Sequence, residues 1–221
     1  TLFDKTELIL IDDGSEDKSF QIAEKLAKKY PKNIFALKNP HNLGIAKTQN
    51  IGLKRATGKY VARLDQDDLW IDNEKLKKQA AALEKDPSLG LVGTWTKVAN
   101  ANGPDFTMIP PTEDQKIREK MLMACMFVAP SVMFRKSLSE KIGFYREDLK
   151  YGTEDYEYWL RIGKVAKFKN IPEYCLEYHF HPASYSNQNK ILAIREHVEI
   201  IKNYKTAYPH FFRSYLKNSI Q

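Results

Sequence analysis

The sequence predicts an α/β fold in which a central sheet carries helices on both of its faces. Through residues 1–99, short apolar runs of strand length alternate with longer runs of helical period, a pattern typical of strand–helix–strand units. Turns rich in Asp and Gly follow several of the apolar runs. Apolar runs in the sequence all fall well short of the roughly 20 residues that a membrane-spanning helix needs. The 221 residues are enough for one substantial domain with its own core.

The first strand is predicted at residues 7–11, an apolar run typical of a buried strand. Ser15 is predicted to cap the helix that follows, with Glu16 favoured in its first turn by the helix dipole, and Pro31 ends that helix. Further strands are predicted at residues 34–37, 59–64, 89–98, 131–134, 165–170 and 174–180. Helices are predicted at residues 15–30, 42–56, 73–85, 113–123, 138–142, 154–162, 191–204 and 211–216. A polar loop is predicted at residues 100–111.

Three carboxylates follow the third predicted strand in the motif Asp65-Gln66-Asp67-Asp68. Open α/β sheets bind their ligands at the carboxyl ends of strands. Carboxylates this close together repel one another unless a cation lies between them, and hard oxygen ligands suit Mg²⁺ or Mn²⁺. The cluster is therefore a candidate metal site, and the alternative is an exposed acidic turn before the next helix.

Two further pairs of acids stand at predicted helix starts. Asp12 and Asp13 end the first strand, where a carboxylate can accept hydrogen bonds from a nucleotide base or ribose. Glu154 and Asp155 begin a later helix, and a general base is well served by a carboxylate held at a rigid helix end. Ordinary turn and capping chemistry is the better explanation of each pair when it is taken alone.

A pair of histidines, His179 and His181, lies on the last predicted strand. The alternation of side chains along a strand places both of them on one face. Beside an acidic metal site, such an imidazole is a candidate further ligand. A hydrogen-bonding surface histidine is the alternative.

The charge balance favours anionic partners. Lys and Arg total 35 against 28 Asp and Glu, a net charge of +7, which suits phosphates or anionic lipid headgroups. The basic residues are spread widely and lack the interleaved aromatics of an RNA-binding surface, so nucleic acid is not an expected partner.

The cysteines and the tail bear on location. Two cysteines, Cys125 and Cys175, make no disulfide framework in a chain of this size, which predicts a reducing, cytoplasmic setting. Residues 208–217 mix aromatic with basic side chains. Such a segment either lies at a membrane interface, here the inner face, or packs on its own domain.

Taken together and in order, these motifs resemble those of the family 2 glycosyltransferases of the GT-A fold, over about residues 7–186. The matching pieces are Asp12-Asp13-Gly14-Ser15, Asn42-Leu43-Gly44 with Gly58-Lys59-Tyr60, Arg63-Leu64-Asp65-Gln66-Asp67-Asp68-Leu69-Trp70, Pro130-Ser131, Glu154-Asp155-Tyr156 and His181-Pro182 with Ser184. The resemblance implies a Rossmann-like central mixed sheet. It also implies an inverting transfer of sugar from a nucleotide-sugar donor, a UDP-sugar, to an acceptor hydroxyl.

The resemblance assigns roles to individual residues. Donor-binding roles fall on Asp12, Asp13, Arg63 and Asp65. The ligands of a Mn²⁺ or Mg²⁺ cofactor are Asp65, Asp67 and His181. The general base is Asp155, with Glu154 as the alternative. Because many members of the family build cell-surface polysaccharide or glycolipid, the expected acceptor is a glycan or a lipid-linked glycan.

The chain is expected to form a single domain, with a nucleotide-sugar half at residues 1–99 and an acceptor half with C-terminal helices at residues 100–221. The family normally has a strand and a helix ahead of the strand at residues 7–11, and only about six residues precede it here. We therefore expect an exposed sheet edge at this strand. A non-catalytic module that binds nucleotide sugars or anionic glycans is the alternative function. A sugar-phosphate nucleotidyltransferase is disfavoured, since no Gly-rich basic loop is present near the start.

Overall fold

The computed structural model describes residues 3–181 and 188–219. The strands are β1 (Leu8–Asp12), β2 (Ile34–Lys38), β3 (Tyr60–Ala62), β4 (Leu69–Trp70), β5 (Leu89–Asn100), β6 (Phe106–Met108), β7 (Met133–Arg135) and β8 (Lys167–Phe180). The helices are α1 (Ser19–Lys29), α2 (Ile45–Arg55), α3 (Lys75–Lys85), α4 (Asp114–Met121), α5 (Lys136–Ile142), α6 (Glu154–Gly163), α7 (Lys190–Asn203) and α8 (Phe211–Ser219). Single turns of 3-10 helix lie at Phe3–Lys5 and Ala129–Ser131.

The strands form two sheets. The larger has the order β3-β7-β5-β8-β4, with β6 paired to β5, and the smaller is the parallel pair of β1 and β2. Within the larger sheet β5 and β8 run parallel, whereas the other pairs are antiparallel. The α/β class and the mixed sheet are therefore confirmed. In the described residues β1 pairs only with β2 and β3 only with β7, so no backbone ladder joins the two sheets.

The first helix begins later than the sequence predicts. Ser15 was expected to cap it, but α1 starts at Ser19. The reason lies in the preceding turn, where the Asp12 carboxylate accepts the backbone N–H groups of Gly14 and Ser15 at 3.1 and 2.9 Å. This local bonding competes with helix formation. The Asp17 carboxylate instead accepts the N–H of Ser19 at 2.9 Å, and the helix starts there.

Two predicted strands near the end of the chain are one long strand, β8. Ile171 faces Thr94 and Tyr174 faces Trp95. Between these two pairs, β8 therefore has two residues that face no residue of β5. Such a bulge accommodates Pro172, which lacks the N–H that a regular ladder requires. The predicted loop at residues 100–111 was also only partly right, because β6 folds back onto β5 as a hairpin.

Helix α6 carries its apolar residues into the main core. The side chains of Tyr158, Trp159, Leu160 and Ile162 are fully buried there. Ring centroids of Phe134 and Tyr158 lie 5.7 and 5.6 Å from that of Trp159. Because this packing fixes the axis of α6, it also fixes the position of the acids at the start of the helix. No helix in the described residues is long and apolar enough to cross a membrane.

Replacing Trp159 with Ala should destabilise the fold by about 3–5 kcal/mol, since a fully buried aromatic side chain leaves a large cavity. Urea unfolding followed by circular dichroism measures the change. The matched control is Ile22→Ala on α1, where the side chain is 58% exposed and a change within about 0.5 kcal/mol is expected. Equal losses in the two variants would contradict this account of the core.

Candidate active site

An open cleft of about 1360 Å³ lies at the carboxyl ends of β1 and β3. Its wall is built from β1, α2, the acidic loop after β3, the start of α6, the end of β8 and helices α7 and α8. The residues singled out from the sequence that line it are Asp13, Arg63, Asp65, Asp67, Glu154, Asp155 and His181. The fold thus brings together groups that lie more than a hundred positions apart in the chain.

Arg63 is the centre of an ion-pair network at the base of the cleft. Its Nε and Nη2 atoms donate to the two oxygens of Asp65 at 2.8 and 2.9 Å. Its Nη1 lies 3.8 Å from Oε1 of the buried Glu154. The side-chain oxygen of Gln49 accepts from Nη1 at 2.6 Å in the amide orientation that satisfies both of its polar groups. Burial opposes the charge on Arg63, but Asp65 outweighs it and raises the pKa of the guanidinium.

Asp67 pairs with the end of β8. Its Oδ2 lies 3.2 Å from Nε2 of His181. The ring of His179 bonds the backbone carbonyl oxygen of Asp67, so both histidines approach the same residue, as their alternation predicted. Pro182 and Ser184 of the same motif lie outside the described residues.

Asp68 has a different hydrogen-bond partner from its two acidic neighbours. Its Oδ1 accepts the backbone N–H of His179 at 3.0 Å, whereas its buried Oδ2 has no hydrogen-bond partner among the residues that the structure describes. Burial raises the pKa of this carboxyl to about 6, and the nearby charges of Asp67 and Asp65 add to the effect. A buried carboxylate oxygen without a partner is costly unless a cation lies near it.

These donors fit a hard divalent cation. Asp67 and His181 supply a carboxylate oxygen and an imidazole nitrogen that already meet, and the unpartnered oxygen of Asp68 leaves negative charge uncompensated beside them. Such oxygen and nitrogen donors suit Mn²⁺ or Mg²⁺. In the described residues no three potential ligands are already gathered into one cluster. Arg63 holds both oxygens of Asp65.

The two acids at the start of α6 have different surroundings. Glu154 is buried and faces Arg63, whereas Asp155 is partly buried in the cleft wall. Burial raises the pKa of both carboxyls. For Asp155 the neighbouring charge of Glu154 adds to burial, and the pKa rises to about 7. A carboxyl with a pKa near neutral is suited to accept a proton from a substrate.

The acids after β1 also differ from one another. Asp12 is bonded to its own turn and does not appear on the cleft wall, so its role in donor binding stays a prediction. Asp13 lines the cleft and accepts from the Asn39 side chain at 2.8 Å and from the N–H groups of Leu43 and Gly44 at 2.8 and 3.0 Å. Although burial opposes it, these hydrogen bonds hold the pKa of Asp13 below its ordinary value.

Several cleft residues were not singled out from the sequence. Gln49 reaches the network from α2, and Tyr178 approaches from β8. His197 of α7 stacks on Tyr156, with ring centroids 4.3 Å apart. No local pattern marks them, because each enters the cleft only through the packing of a distant element.

Comparison with known proteins gives consistent results. Residues 2–143 match the sequence model of glycosyl transferase family 2. The amylovoran biosynthesis glycosyltransferase AmsE of Erwinia amylovora is 31% identical over 169 residues, which is 76% of this chain and 62% of AmsE. The chain spans about three fifths of the length of such curated relatives.

Solved structures show the same fold. S. aureus TarS, residues 1–349, in complex with UDP-GlcNAc, is similar with a TM-score of 0.72 at 20% identity, over 98% of this chain and 64% of that one. The mannosyltransferase PcManGT from Pyrobaculum calidifontis, in complex with GDP-Man and Mn²⁺, has a TM-score of 0.67 at 19% identity, over 98% and 60%. The likeness shows the GT-A fold that the sequence predicted.

Proposed function

The chain belongs to glycosyl transferase family 2, and we propose that it moves a sugar from a UDP-sugar donor to an acceptor hydroxyl with inversion at the anomeric carbon. The observation that carries this proposal is one cleft that is lined both by the pair of Asp67 and His181 and by Asp155, whose pKa is raised. A cation site and a proton acceptor are the two groups that such a transfer needs.

The nucleotide-sugar donor is bound by the half of the cleft that residues 1–99 build. The relative in complex with UDP-GlcNAc and the one in complex with GDP-Man and Mn²⁺ support a donor of this class. Asp13 stands at the β1 end of the wall with both oxygens fixed by hydrogen bonds, ready to meet the base or ribose. Arg63 and Asp65 form the polar floor beneath the donor.

A bound Mn²⁺ or Mg²⁺ would neutralise charge on the donor diphosphate. Asp67 and His181 would hold it, with Asp65 as the further ligand, although the Asp65 carboxylate is bonded to Arg63 in this structure. Asp68 supports this arrangement from behind, because its bond to the N–H of His179 holds the end of β8 against the acidic loop.

The acceptor is activated by Asp155. Its carboxylate takes the proton of the acceptor hydroxyl while that oxygen attacks the anomeric carbon from the face opposite the diphosphate. The bond between the anomeric carbon and the diphosphate oxygen breaks, and its electron pair leaves with the nucleoside diphosphate. A single displacement of this kind inverts the configuration. Glu154 is already engaged by Arg63, so it orients the network rather than accepting the proton.

The acceptor side is built by residues 100–221, which form one domain with the donor half. The AmsE relative is named for amylovoran biosynthesis, which supports a role in making cell-surface polysaccharide. We therefore propose a glycan or lipid-linked glycan acceptor, met in the cytoplasm at the inner face of the membrane.

Release of nucleoside diphosphate tests the proposal. The protein is incubated with UDP-sugars and with GDP-mannose, with Mn²⁺ or with EDTA, and release is followed in the presence of candidate glycan acceptors. We expect release with a UDP-sugar and Mn²⁺, and none with EDTA. Metal-independent release, or release from GDP-mannose alone, would overturn the corresponding part of the proposal.

A non-catalytic module that binds nucleotide sugars is the second candidate. The observation in its favour is the bidentate pairing of Asp65 with Arg63, which keeps one predicted ligand from the cation site. Calorimetry with UDP separates the two functions. Metal-dependent binding without transfer to any acceptor favours the module, and binding together with transfer favours the enzyme.

A further inference from the structure

Helix α8 divides the aromatic and basic tail into two faces. One face packs on the domain, with Tyr208 just ahead of the helix donating to the carbonyl of Leu160 at 2.9 Å, and with Ser214 and Asn218 buried. The other face is open to solvent. It carries Phe212, which is 81% exposed, Leu216, which is 61% exposed, and the exposed Arg213 and Lys217. We call these four residues the α8 face.

The sequence that contains the α8 face carries a net positive charge. Residues 182–221 contain six Lys and Arg and two acids, and no acid follows Glu199. Both acids are engaged, because Glu196 accepts the N–H of Lys150 and Tyr151 and Glu199 pairs with Lys202. The surface that remains is therefore apolar and cationic.

The start of α7 extends this surface. Helices α7 and α8 pack against each other and are joined by a short connection, so the first turn of α7 and the last turn of α8 lie at the same end of the hairpin. Lys190, Ile191 and Leu192 are exposed in that first turn, with Ile191 at 70%. Lys190 and Lys217 also line the cleft.

We propose that the α8 face, together with the first turn of α7, binds the surface of an anionic lipid bilayer. An apolar pair flanked by basic side chains places its apolar groups at the boundary between headgroups and acyl chains, and the cations meet lipid phosphates. The absence of acids beyond Glu199 makes the charge complementary to such a surface. This binding requires neither donor nor metal, so it goes beyond the proposed function and is tested separately from it.

The α8 face lies on the same helical hairpin that lines the cleft. Residues of the same hairpin, Ala193, Ile194 and His197 among them, form one wall of the cleft. A protein resting on the bilayer through the α8 face therefore holds this wall next to the lipid headgroups. An acceptor anchored in the bilayer then reaches the cleft without leaving the membrane.

Flotation with lipid vesicles tests the proposal. The protein is mixed with phosphatidylcholine vesicles, with and without phosphatidylglycerol, at low and at high salt. We expect binding that needs phosphatidylglycerol and is lost at high salt. The double variant Phe212→Ser and Leu216→Ser should bind about tenfold more weakly, and Arg213→Glu about fivefold or more.

The matched control is Ile22→Ser and Leu26→Ser on α1, an exposed apolar pair with the same spacing beside lysines. It should bind vesicles like the wild type. Circular dichroism and metal-dependent binding of UDP should be unchanged in the α8 variants, which shows that they are folded. Equal binding by wild type and the α8 double variant would overturn the proposal. The proposal would also be overturned if the wild type did not bind vesicles but self-associated, and if the α8 double variant abolished that self-association.

Discussion

Replacing Asp155 with Asn should lower the rate of sugar transfer by about 10²–10⁴-fold, the usual contribution of a general base. The substitution keeps the shape of the side chain but removes its ability to accept a proton. Because the pKa of Asp155 is raised to about 7, kcat/KM of the wild type should rise with pH through neutrality and level off above it. The fall in kcat/KM on the acidic side of this profile, its acid limb, should be absent from the variant.

The same substitution should stabilise the fold at alkaline pH. Between pH 3.8 and about 7 the unfolded chain is more ionised at this position than the folded chain, so the unfolding free energy falls as pH rises. Above about pH 7 the full cost of burying the ionised carboxylate lowers the unfolding free energy. An uncharged amide has no such cost. We expect Asp155→Asn to gain about 1 kcal/mol or more at pH 8, with no gain in strong acid. Urea unfolding at both pH values measures this.

Glu154→Gln is the matched control for the base. Glu154 faces Arg63 rather than the acceptor, so the variant should lose less activity and keep the acid limb of the pH profile. If Glu154→Gln loses the acid limb of the pH profile while Asp155→Asn keeps it, Glu154 rather than Asp155 is the general base. A less stable and inactive Asp155→Asn would point to a structural role instead.

Replacing Asp67 with Ala should reduce transfer by about 100-fold or more and should make UDP binding insensitive to Mn²⁺. Even outer partners of metal ligands contribute about 10–100-fold to metal affinity, and a direct ligand contributes at least as much. Asp67 is the acid of the cluster that meets His181, so its loss removes one of the proposed ligands of the cation. Calorimetry with UDP, in Mn²⁺ and in EDTA, gives the readout.

Two further variants sharpen the test of the metal site. Glu16→Ala removes an exposed acid away from the cleft and should bind UDP like the wild type. His181→Ala should resemble Asp67→Ala, because both residues are proposed ligands of the same cation. Retention of Mn²⁺-dependent UDP binding in Asp67→Ala would refute the assignment, whatever its effect on transfer.

Local sequence patterns predicted the positions of many helices and strands. The apolar run that forms β1 and the amphipathic runs that form α3 and α6 were placed within two residues of their observed ends, and α2 was placed within three, because each of them buries one continuous face. The failures lie where hydrogen bonds outside regular structure intervene. The Asp12 turn delays α1, and the bulge at Pro172 lets β8 continue as one strand.

The sequence by itself determined that carboxylates stand at the ends of β1 and β3 and at the start of α6, since strand and helix periodicity fixes where elements end. Only the tertiary structure decided what each carboxylate does. In the acidic loop Asp65 turns to Arg63, Asp67 to His181 and Asp68 to the N–H of His179. Two of these three partners lie at the end of β8 or directly after it, more than a hundred residues from the acidic loop, and such contacts exist only once the sheet has formed.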